Sequence, residues 1–218
     1  SLKFFSMIFY FFTSYIVYLI CRNLELEKNA SVACALVFFI IPSVSVSSFL
    51  VSTDVILLFF WSVLLNLLLL IRKKPNNLNF ILLGVFFGFA LLAKYAAIYF
   101  ILCLFVLFFC DKKFAKIIFR SKKNILLFIT IVFVLILPNL LWNYYNSWIT
   151  FTHTSDNIAF SNYNINILRG INFLLIQLLM VGPVIFIGFL INIKFFKLDF
   201  ENLLLLCFSI PILVIVFA

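Results

Sequence analysis

Long apolar runs separated by short polar segments dominate this sequence. They cover residues 4–21, 30–41, 55–71, 125–141, 168–191 and 203–218. An α-helix needs about 20 such residues to cross the hydrocarbon core of a bilayer, or somewhat fewer where the bilayer adapts. Because 67% of the residues are hydrophobic and only 11% are charged, a water-soluble domain of 218 residues could not bury this apolar surface. We therefore predict an all-α fold, a polytopic transmembrane helical bundle.

Segment 79–110 is longer than one span requires, and cationic loops flank it on both sides. A single span would separate those loops, whereas a hairpin of two short helices that turns near Lys94 keeps them together. Lys and Arg accumulate in the cytoplasmic loops of membrane proteins. With the hairpin, all but three of the 16 cationic residues share one side, and Lys3, Lys94 and Arg169 lie on the other. The sequence therefore predicts about eight spans in a single transmembrane domain, 1–218.

The side opposite the cationic loops consists of segment 42–54, the turn near Lys94 and the connection 142–167. Its ionisable side chains include Asp54, Lys94, His153 and Asp156, and Arg169 opens the next apolar run. Ionisable groups at a membrane interface are costly to keep and tend to mark function. We therefore expect any chemistry to take place on this extracytoplasmic side.

Asp54 and Lys94 each admit two interpretations. Asp54 follows Ser52 and Thr53 at the start of an apolar run, and any of the three can supply a helix N-cap. Alternatively, a carboxylate beside the positive end of a helix can accept a proton from an acceptor hydroxyl or hold a metal ion. Lys94 is either a lysine that snorkels at a turn or a contact for a phosphate group. The residues alone leave these alternatives open.

The other polar candidates on this side also have structural alternatives. Arg169 either anchors its helix or binds an anionic headgroup, and Gln177 either joins helices or contacts a ligand. His153 and Asp156 form an acid–base or substrate-binding pair if their loop is helical, and are otherwise loop residues. One histidine does not make a zinc site. Trp142 fits an interfacial aromatic belt, although such rings also stack on sugars.

A glycine pair in the segment before Lys94 has the spacing of a packing motif. Gly84 and Gly88 lie four residues apart, and small residues at this spacing let two membrane helices approach closely. The pattern predicts tight helix packing and carries no chemistry.

Four stretches of the sequence stand in an order typical of one family. They are Pro42-Ser43 through Ser52-Thr53-Asp54 with Trp61; Gly84 and Gly88 through Lys94-Tyr95; Leu137-Pro138-Asn139 through Trp142-Asn143 with Trp148 and Phe151; and Phe173, Gln177, Gly182-Pro183 and Phe186. Together they resemble the membrane glycosyltransferases of family 39, the protein O-mannosyltransferase-like group of the GT-C superfamily. Bacterial members of this group include aminoarabinose and lipopolysaccharide sugar transferases. The resemblance implies a GT-C-like fold in a bacterial inner membrane.

The resemblance also implies roles for individual residues. Asp54 stands where the family has its second extracytoplasmic acid, and Lys94 where it has a lysine after a Gly-Leu-rich helix. The family's first acid, usually taken as the principal catalytic residue, lies in a loop that the resemblance places before Ser1, and a C-terminal part is expected beyond residue 218. Asp54 is thus the expected catalytic residue, and the expected substrate-binding residues are Lys94, Arg169, Trp142, Asn143, His153 and Gln177.

The hypothesis that follows is inverting glycosyl transfer at the extracytoplasmic face, from a polyprenyl-phosphate sugar to a glycolipid or protein acceptor. Lys94, Arg169 or a divalent metal ion held partly by Asp54 would compensate the charge of the departing phosphate. One alternative is a transporter of a small solute or ion, with Asp54 and Lys94 as pathway charges. Another is a scaffold whose polar residues are caps and anchors. A nucleic-acid partner is not expected, because the cations cluster as topology signals.

Overall fold

A computed structural model of the protein describes residues 3–150, 152, 167–192, 194 and 199–217. Within these residues the regular structure is helical, with no β-strand, which confirms the all-α prediction. The helices are α1 Lys3–Asn23, α2 Lys28–Ile40, α3 Pro42–Ser47, α4 Thr53–Lys73, α5 Asn77–Ala93, α6 Tyr99–Cys110, α7 Lys112–Arg120, α8 Lys122–Tyr145, α9 Ile167–Val181, α10 Pro183–Asn192, α11 Phe200–Cys207 and α12 Ile210–Phe217, with a 3-10 turn at Tyr95–Ile98 before α6.

Helix α4 gives the bundle two distinguishable ends, which we name the Asp54 end and the Arg72 end. Helix α1 runs parallel to α4. Near the Asp54 end, the Ser6 hydroxyl donates to the Leu50 carbonyl at 2.6 Å. Towards the Arg72 end, the Asn23 side-chain Nδ2 donates to the side-chain Oδ1 of Asn66 at 2.8 Å. These bonds fix α1 along the full length of α4.

Helices α5 and α6 form the hairpin predicted for segment 79–110. Lys94, at its turn, has an extended backbone that ends α5, and its ammonium contacts the Asp54 carboxylate. At the opposite end, Asp111 follows α6 directly, and its Oδ2 lies 3.7 Å from Nη2 of Arg72. The chain therefore leaves and returns to the Arg72 end, and the loops on both sides of the hairpin lie there.

Close packing of α5 against α8 forms one wall of the bundle. A Cβ atom added at Gly84 would lie 3.2 Å from the Phe128 carbonyl oxygen and 3.3 Å from the Ile131 side chain. At Gly88 it would lie 2.7 Å from Leu135. The glycines thus allow the two helix backbones to approach, and the predicted packing role is confirmed.

The count of about eight spans is not confirmed. By length and composition, three of the described helices can cross a membrane: Phe4–Asn23, Thr53–Lys73 and Lys122–Tyr145. A fourth is added if Tyr95–Cys110 and Lys112–Arg120, which meet at a bend of 114°, are taken as one broken span. Shorter apolar helices, among them Lys28–Ile40 and Asn77–Ala93, complete the described bundle.

The apolar run 168–191 is not one continuous helix, which corrects the sequence-based prediction. Helix α9 ends at Val181 and α10 begins at Pro183. Between them Gly182 has a φ of +94°, a left-handed conformation that favours glycine. Pro183 lacks the N–H that would continue α9 and fits the first position of a new helix. Hydrophobicity alone did not reveal this break.

We predict that Gly84→Leu lowers the melting temperature of the detergent-purified protein, at a cost of about 1–3 kcal/mol, because the new side chain must push α8 away. Gly188→Leu is the matched control. A Cβ at this helical glycine meets no atom of the described residues within 4 Å, so the melting temperature should stay nearly unchanged. Equal shifts in the two variants would contradict the close contact of α5 and α8.

Candidate functional site

The N-terminus of α4 presents the Asp54 carboxylate without using it as a helix cap. Ser52 is the N-cap, and its hydroxyl oxygen accepts a hydrogen bond from the Asp54 N–H at 3.1 Å. The same hydroxyl lies 3.0 Å from Asp54 Oδ2, to which it donates. Ser52 therefore supplies the cap that the sequence left open among three residues, and the second carboxylate oxygen of Asp54 remains for another partner.

That partner is Lys94. Its Nζ donates to Asp54 Oδ1 across forty positions of sequence, and the two groups form an ion pair. The side chains remain 63% exposed for Asp54 and 43% exposed for Lys94. Exposed pairs of this kind contribute only about 0–1 kcal/mol to stability. The pair is therefore open to exchange with an incoming charged ligand at little cost.

Two cavities lie on either side of Lys94. The first, named here the Tyr95 cavity, has a volume of about 600 Å³ and is lined by Leu91, Leu92, Ala93, Lys94, Tyr95, Ala96, Ile98, Tyr99, Asn139 and Thr150. The second, the Trp61 cavity, has a volume of about 500 Å³ and is lined by Asp54, Leu57, Leu58, Trp61, Lys94, Ala96, Tyr99 and Ile212. Lys94, Ala96 and Tyr99 belong to both. Each cavity is large enough for a small-molecule group and combines apolar walls with a few polar side chains.

A hydrogen-bonded cluster on α8 supports the wall of the Tyr95 cavity. The Tyr95 hydroxyl donates to Asn139 Oδ1 at 2.7 Å. One turn further along α8, the Asn143 amide donates to the Asn139 carbonyl at 3.0 Å. Asn143 is fully buried. Because a buried amide is costly unless its hydrogen bonds are made, this cluster holds Tyr95 in one position.

A left-handed turn after α8 brings Thr150 to the same cavity. Ser147 and Trp148 have φ values of +55° and +57°, a conformation that costs roughly 1 kcal/mol or more for residues other than glycine. The turn is held by the Trp148 N–H, which donates to the Asn143 carbonyl at 2.8 Å. In addition, the Thr150 N–H donates to Asn143 Oδ1 at 3.3 Å. Asn143 therefore connects Tyr95 with the segment that closes the cavity.

The other predicted site residues are placed as follows. Trp142 is 53% exposed near the end of α8 and does not line either cavity. Gln177 is half-buried in α9, and the described walls of the two cavities do not include it. Arg169 lies in the first turn of α9, but its side chain is outside the described part of the chain. His153 and Asp156 lie outside the described residues altogether. The substrate-binding roles of Trp142, Gln177, Arg169 and His153 remain predictions, as does the pairing of His153 with Asp156.

The described residues offer no ligand set for a metal ion. Within the described ranges, no three His, Cys, Asp or Glu side chains come together in a group that could hold one. Asp54 is instead paired with a lysine, whose positive charge competes with a cation for the same carboxylate.

Tyr95, Tyr99 and Asn139 were not predicted from the sequence as site residues. Asn139 could have been identified from the sequence, because Asn139 and Asn143 lie four residues apart and so share one face of the helix. Polar amides on one face of a membrane helix indicate a buried contact. The partner on the other helix, Tyr95, could not be identified without the fold.

Comparison with known proteins gives two matches. A family model described as dolichyl-phosphate-mannose-protein mannosyltransferase matches residues 1–142. The lipid A galacturonosyltransferase RgtD of Rhizobium johnstonii is 31% identical over 157 residues. That alignment covers 70% of this chain and 32% of RgtD, so the chain spans about a third of this relative's length. No solved structure matches the chain.

We predict that Asn143→Ala destabilises the protein by about 1–3 kcal/mol, because Tyr95, Asn139 and the Thr150 N–H lose buried hydrogen-bond partners. The measurement is the melting temperature in detergent. Tyr145→Ala serves as the control, since Tyr145 lies two residues further along α8 and is 79% exposed. A shift for Tyr145→Ala as large as that for Asn143→Ala would count against the cluster as a stabilising element.

Proposed function

The chain belongs to the dolichyl-phosphate-mannose-protein mannosyltransferase family, and from this membership we propose that it forms part of a membrane glycosyltransferase with its active site at the Asp54 end. The proposed reaction moves a sugar from a polyprenyl-phosphate donor to a glycolipid or protein acceptor. The proposed location is the bacterial inner membrane, with the Asp54 end on the extracytoplasmic side. The observation that supports it best is the ion pair of Asp54 and Lys94 between the two cavities.

In this proposal the donor phosphate binds at Lys94. The Tyr95 cavity combines this ammonium with the apolar side chains of Leu91 and Leu92, a combination that suits a phosphate attached to a hydrocarbon chain. The phosphate replaces the Asp54 carboxylate as the partner of Lys94. Little stability is lost in this exchange, because the ion pair is exposed. Binding of the donor thus frees the Asp54 carboxylate from Lys94 before the acceptor proton has to be removed.

The acceptor then approaches through the Trp61 cavity, where Asp54 lies at the wall. The acceptor hydroxyl oxygen forms a bond to the anomeric carbon from the side opposite the phosphate, which inverts the configuration. The carbon–oxygen bond to the phosphate breaks, and the phosphate leaves with the electron pair. A carboxylate takes the acceptor proton, and Asp54 is the carboxylate beside Lys94. Lys94 stabilises the additional negative charge on the departing polyprenyl phosphate.

The name of the relative favours a glycolipid acceptor over a protein. RgtD is a lipid A galacturonosyltransferase, and it is 31% identical to this chain over 157 residues. A lipid-anchored acceptor could reach the Trp61 cavity from the bilayer, because Leu57, Leu58 and Ile212 give this cavity apolar walls. Both substrates would then enter laterally.

The position of the ion pair argues against the transporter alternative. A transport pathway is expected to hold its charged residues near the middle of the membrane. Asp54 is instead the second residue of α4, and Lys94 lies at the turn between α5 and α6. The pair therefore lies at one end of the bundle, where a surface reaction is possible.

We predict that Asp54→Asn and Lys94→Met each lower the transfer rate by at least about a hundredfold, as expected when a group that stabilises the transition state is removed. The assay uses the full-length protein in proteoliposomes with labelled polyprenyl-phosphate sugars and glycolipid acceptors. The exchanged pair, Asp54→Lys with Lys94→Asp, restores the attraction but reverses the positions of base and cation. It should keep the melting temperature and stay inactive.

The matched control for this prediction is the ion pair at the other end of the bundle. The double variant Arg72→Gln/Asp111→Asn removes both charges of that pair, whereas Asp54→Asn and Lys94→Met each remove one charge, and it lies far from both cavities. Its transfer rate per folded protein should stay within a few-fold of the unmodified protein. Full activity of Asp54→Asn, or absence of transfer from every donor in a broad panel, would refute the proposal.

We also predict the sidedness of the two ends by cysteine labelling. Val51→Cys lies just before α4 at the Asp54 end, and Lys74→Cys lies just after α4; both positions are exposed. In a background without native cysteines, an impermeant maleimide should label Val51→Cys in intact spheroplasts. It should label Lys74→Cys only in inverted membrane vesicles. The reverse pattern would place the Asp54 end in the cytoplasm.

A further inference from the structure

Helix α7 lies across the Arg72 end of the bundle. It is bent by 114° from the preceding helical segment Tyr95–Cys110, and nine residues at 1.5 Å each are too short to cross a membrane. Asp111 fixes the bend. Its Oδ1 accepts the Phe114 N–H at 2.8 Å as the N-cap of α7, and its Oδ2 lies 3.7 Å from Arg72. The orientation of α7 is therefore part of the folded bundle.

The inner face of α7 packs on the hydrophobic core. Phe114 is fully buried, and its ring centroid lies 5.2 Å from that of Phe200 in α11. Ile118, one turn further, is also buried. These contacts prevent α7 from rotating about its axis, so its opposite face must point away from the bundle.

That outer face is cationic. Lys112, Lys113, Lys116 and Arg120 are all exposed, and at 100° per residue they lie within one third of the helix circumference. Lys122 and Lys123 follow directly and are exposed as well. Segment 112–123 contains no Asp or Glu. Because Asp111 is already bound to Arg72 and to the cap N–H, the positive charge of this face is not neutralised from within the segment.

A cavity with both polar and apolar walls opens at the start of α7. It has a volume of about 400 Å³, and we name it the Lys112 cavity. Asp111, Lys112 and Lys113 form its polar wall, whereas Phe109, Phe200 and Leu203 form its apolar wall. Phe109 is 82% exposed at the end of α6, so an apolar ring stands beside two ammonium groups.

We propose that α7 and the Lys112 cavity bind an anionic phospholipid of the leaflet at the Arg72 end. Lys112 and Lys113 contact the headgroup phosphate, and Phe109 and Leu203 contact the upper part of the acyl chains. The remaining cations of the outer face attract further anionic headgroups, because basic segments beside a membrane helix are drawn to acidic lipid surfaces. The site lies at the end opposite Asp54 and does not depend on sugar transfer.

The test measures lipid binding to the full-length protein in neutral detergent, by the fluorescence anisotropy of tail-labelled phosphatidylglycerol. Tail-labelled phosphatidylcholine with the same acyl chains is the comparison lipid. We expect phosphatidylglycerol to bind more tightly, and its affinity to fall as salt is raised. The variant Lys112→Gln/Lys113→Gln/Lys116→Gln/Arg120→Gln should bind it at least about tenfold more weakly, since each cation near an acidic surface adds to the attraction.

The matched control removes four exposed cations at the same end but outside α7: Arg22→Gln/Lys28→Gln/Lys73→Gln/Lys74→Gln. Its affinity for phosphatidylglycerol should change by less than that of the α7 variant. Gln is as good a helix former as Lys and Arg, so α7 should remain folded. If the fourfold variant fails to fold, Lys112→Gln/Lys113→Gln tests the cavity alone. Equal binding of the two lipids, unchanged affinity in the α7 variants, or an equal loss in the control would overturn the proposal.

Discussion

The ion pair between Asp54 and Lys94 connects the start of α4 with the turn of the α5–α6 hairpin, forty residues apart in sequence. The chain can make this contact only if α5 runs back along α4 and turns at the level of the α4 N-terminus. Both cavities at the Asp54 end include Lys94, so their position depends on the same turn. Because the pair is exposed, it contributes little to stability. Its importance is that it holds a carboxylate and an ammonium group next to each other at the two cavities.

Stability at the opposite end comes from a different kind of contact. Arg72 is 3.7 Å from Asp111 and lies 4.8 Å from the centre of the Phe200 ring, a distance typical of a cation–π contact. Asp111 also caps α7. These side chains join α4, α7 and α11, and so fix the end of the hairpin whose turn carries Lys94. The two ends of the bundle therefore differ in role. Contacts at the Arg72 end hold the hairpin in place, whereas the Asp54 end presents an exposed ion pair.

Much of the fold followed from the sequence, because lipid-facing helices must be apolar and charged loops mark their ends. The hairpin at Lys94 was predicted from loop charge, and the role of Gly84 and Gly88 from their spacing. The break at Gly182 was missed, since a glycine and a proline within an apolar run do not alter its hydrophobicity. The capping of α4 by Ser52 was left open, because Ser, Thr and Asp side chains can all cap a helix N-terminus.

The sequence by itself determined the helical class, the hairpin and the end of the bundle at which Asp54 and Lys94 lie, because each depends on local hydrophobicity and on the distribution of charge. Only the tertiary structure decided that the side chains of Asp54 and Lys94 touch and that the buried Asn143 belongs to the hydrogen-bonded cluster of Tyr95. It also decided that the cationic face of α7 points away from the bundle. Those features depend on distances between helices that are remote in sequence. Such distances follow from side-chain packing, which no local pattern specifies.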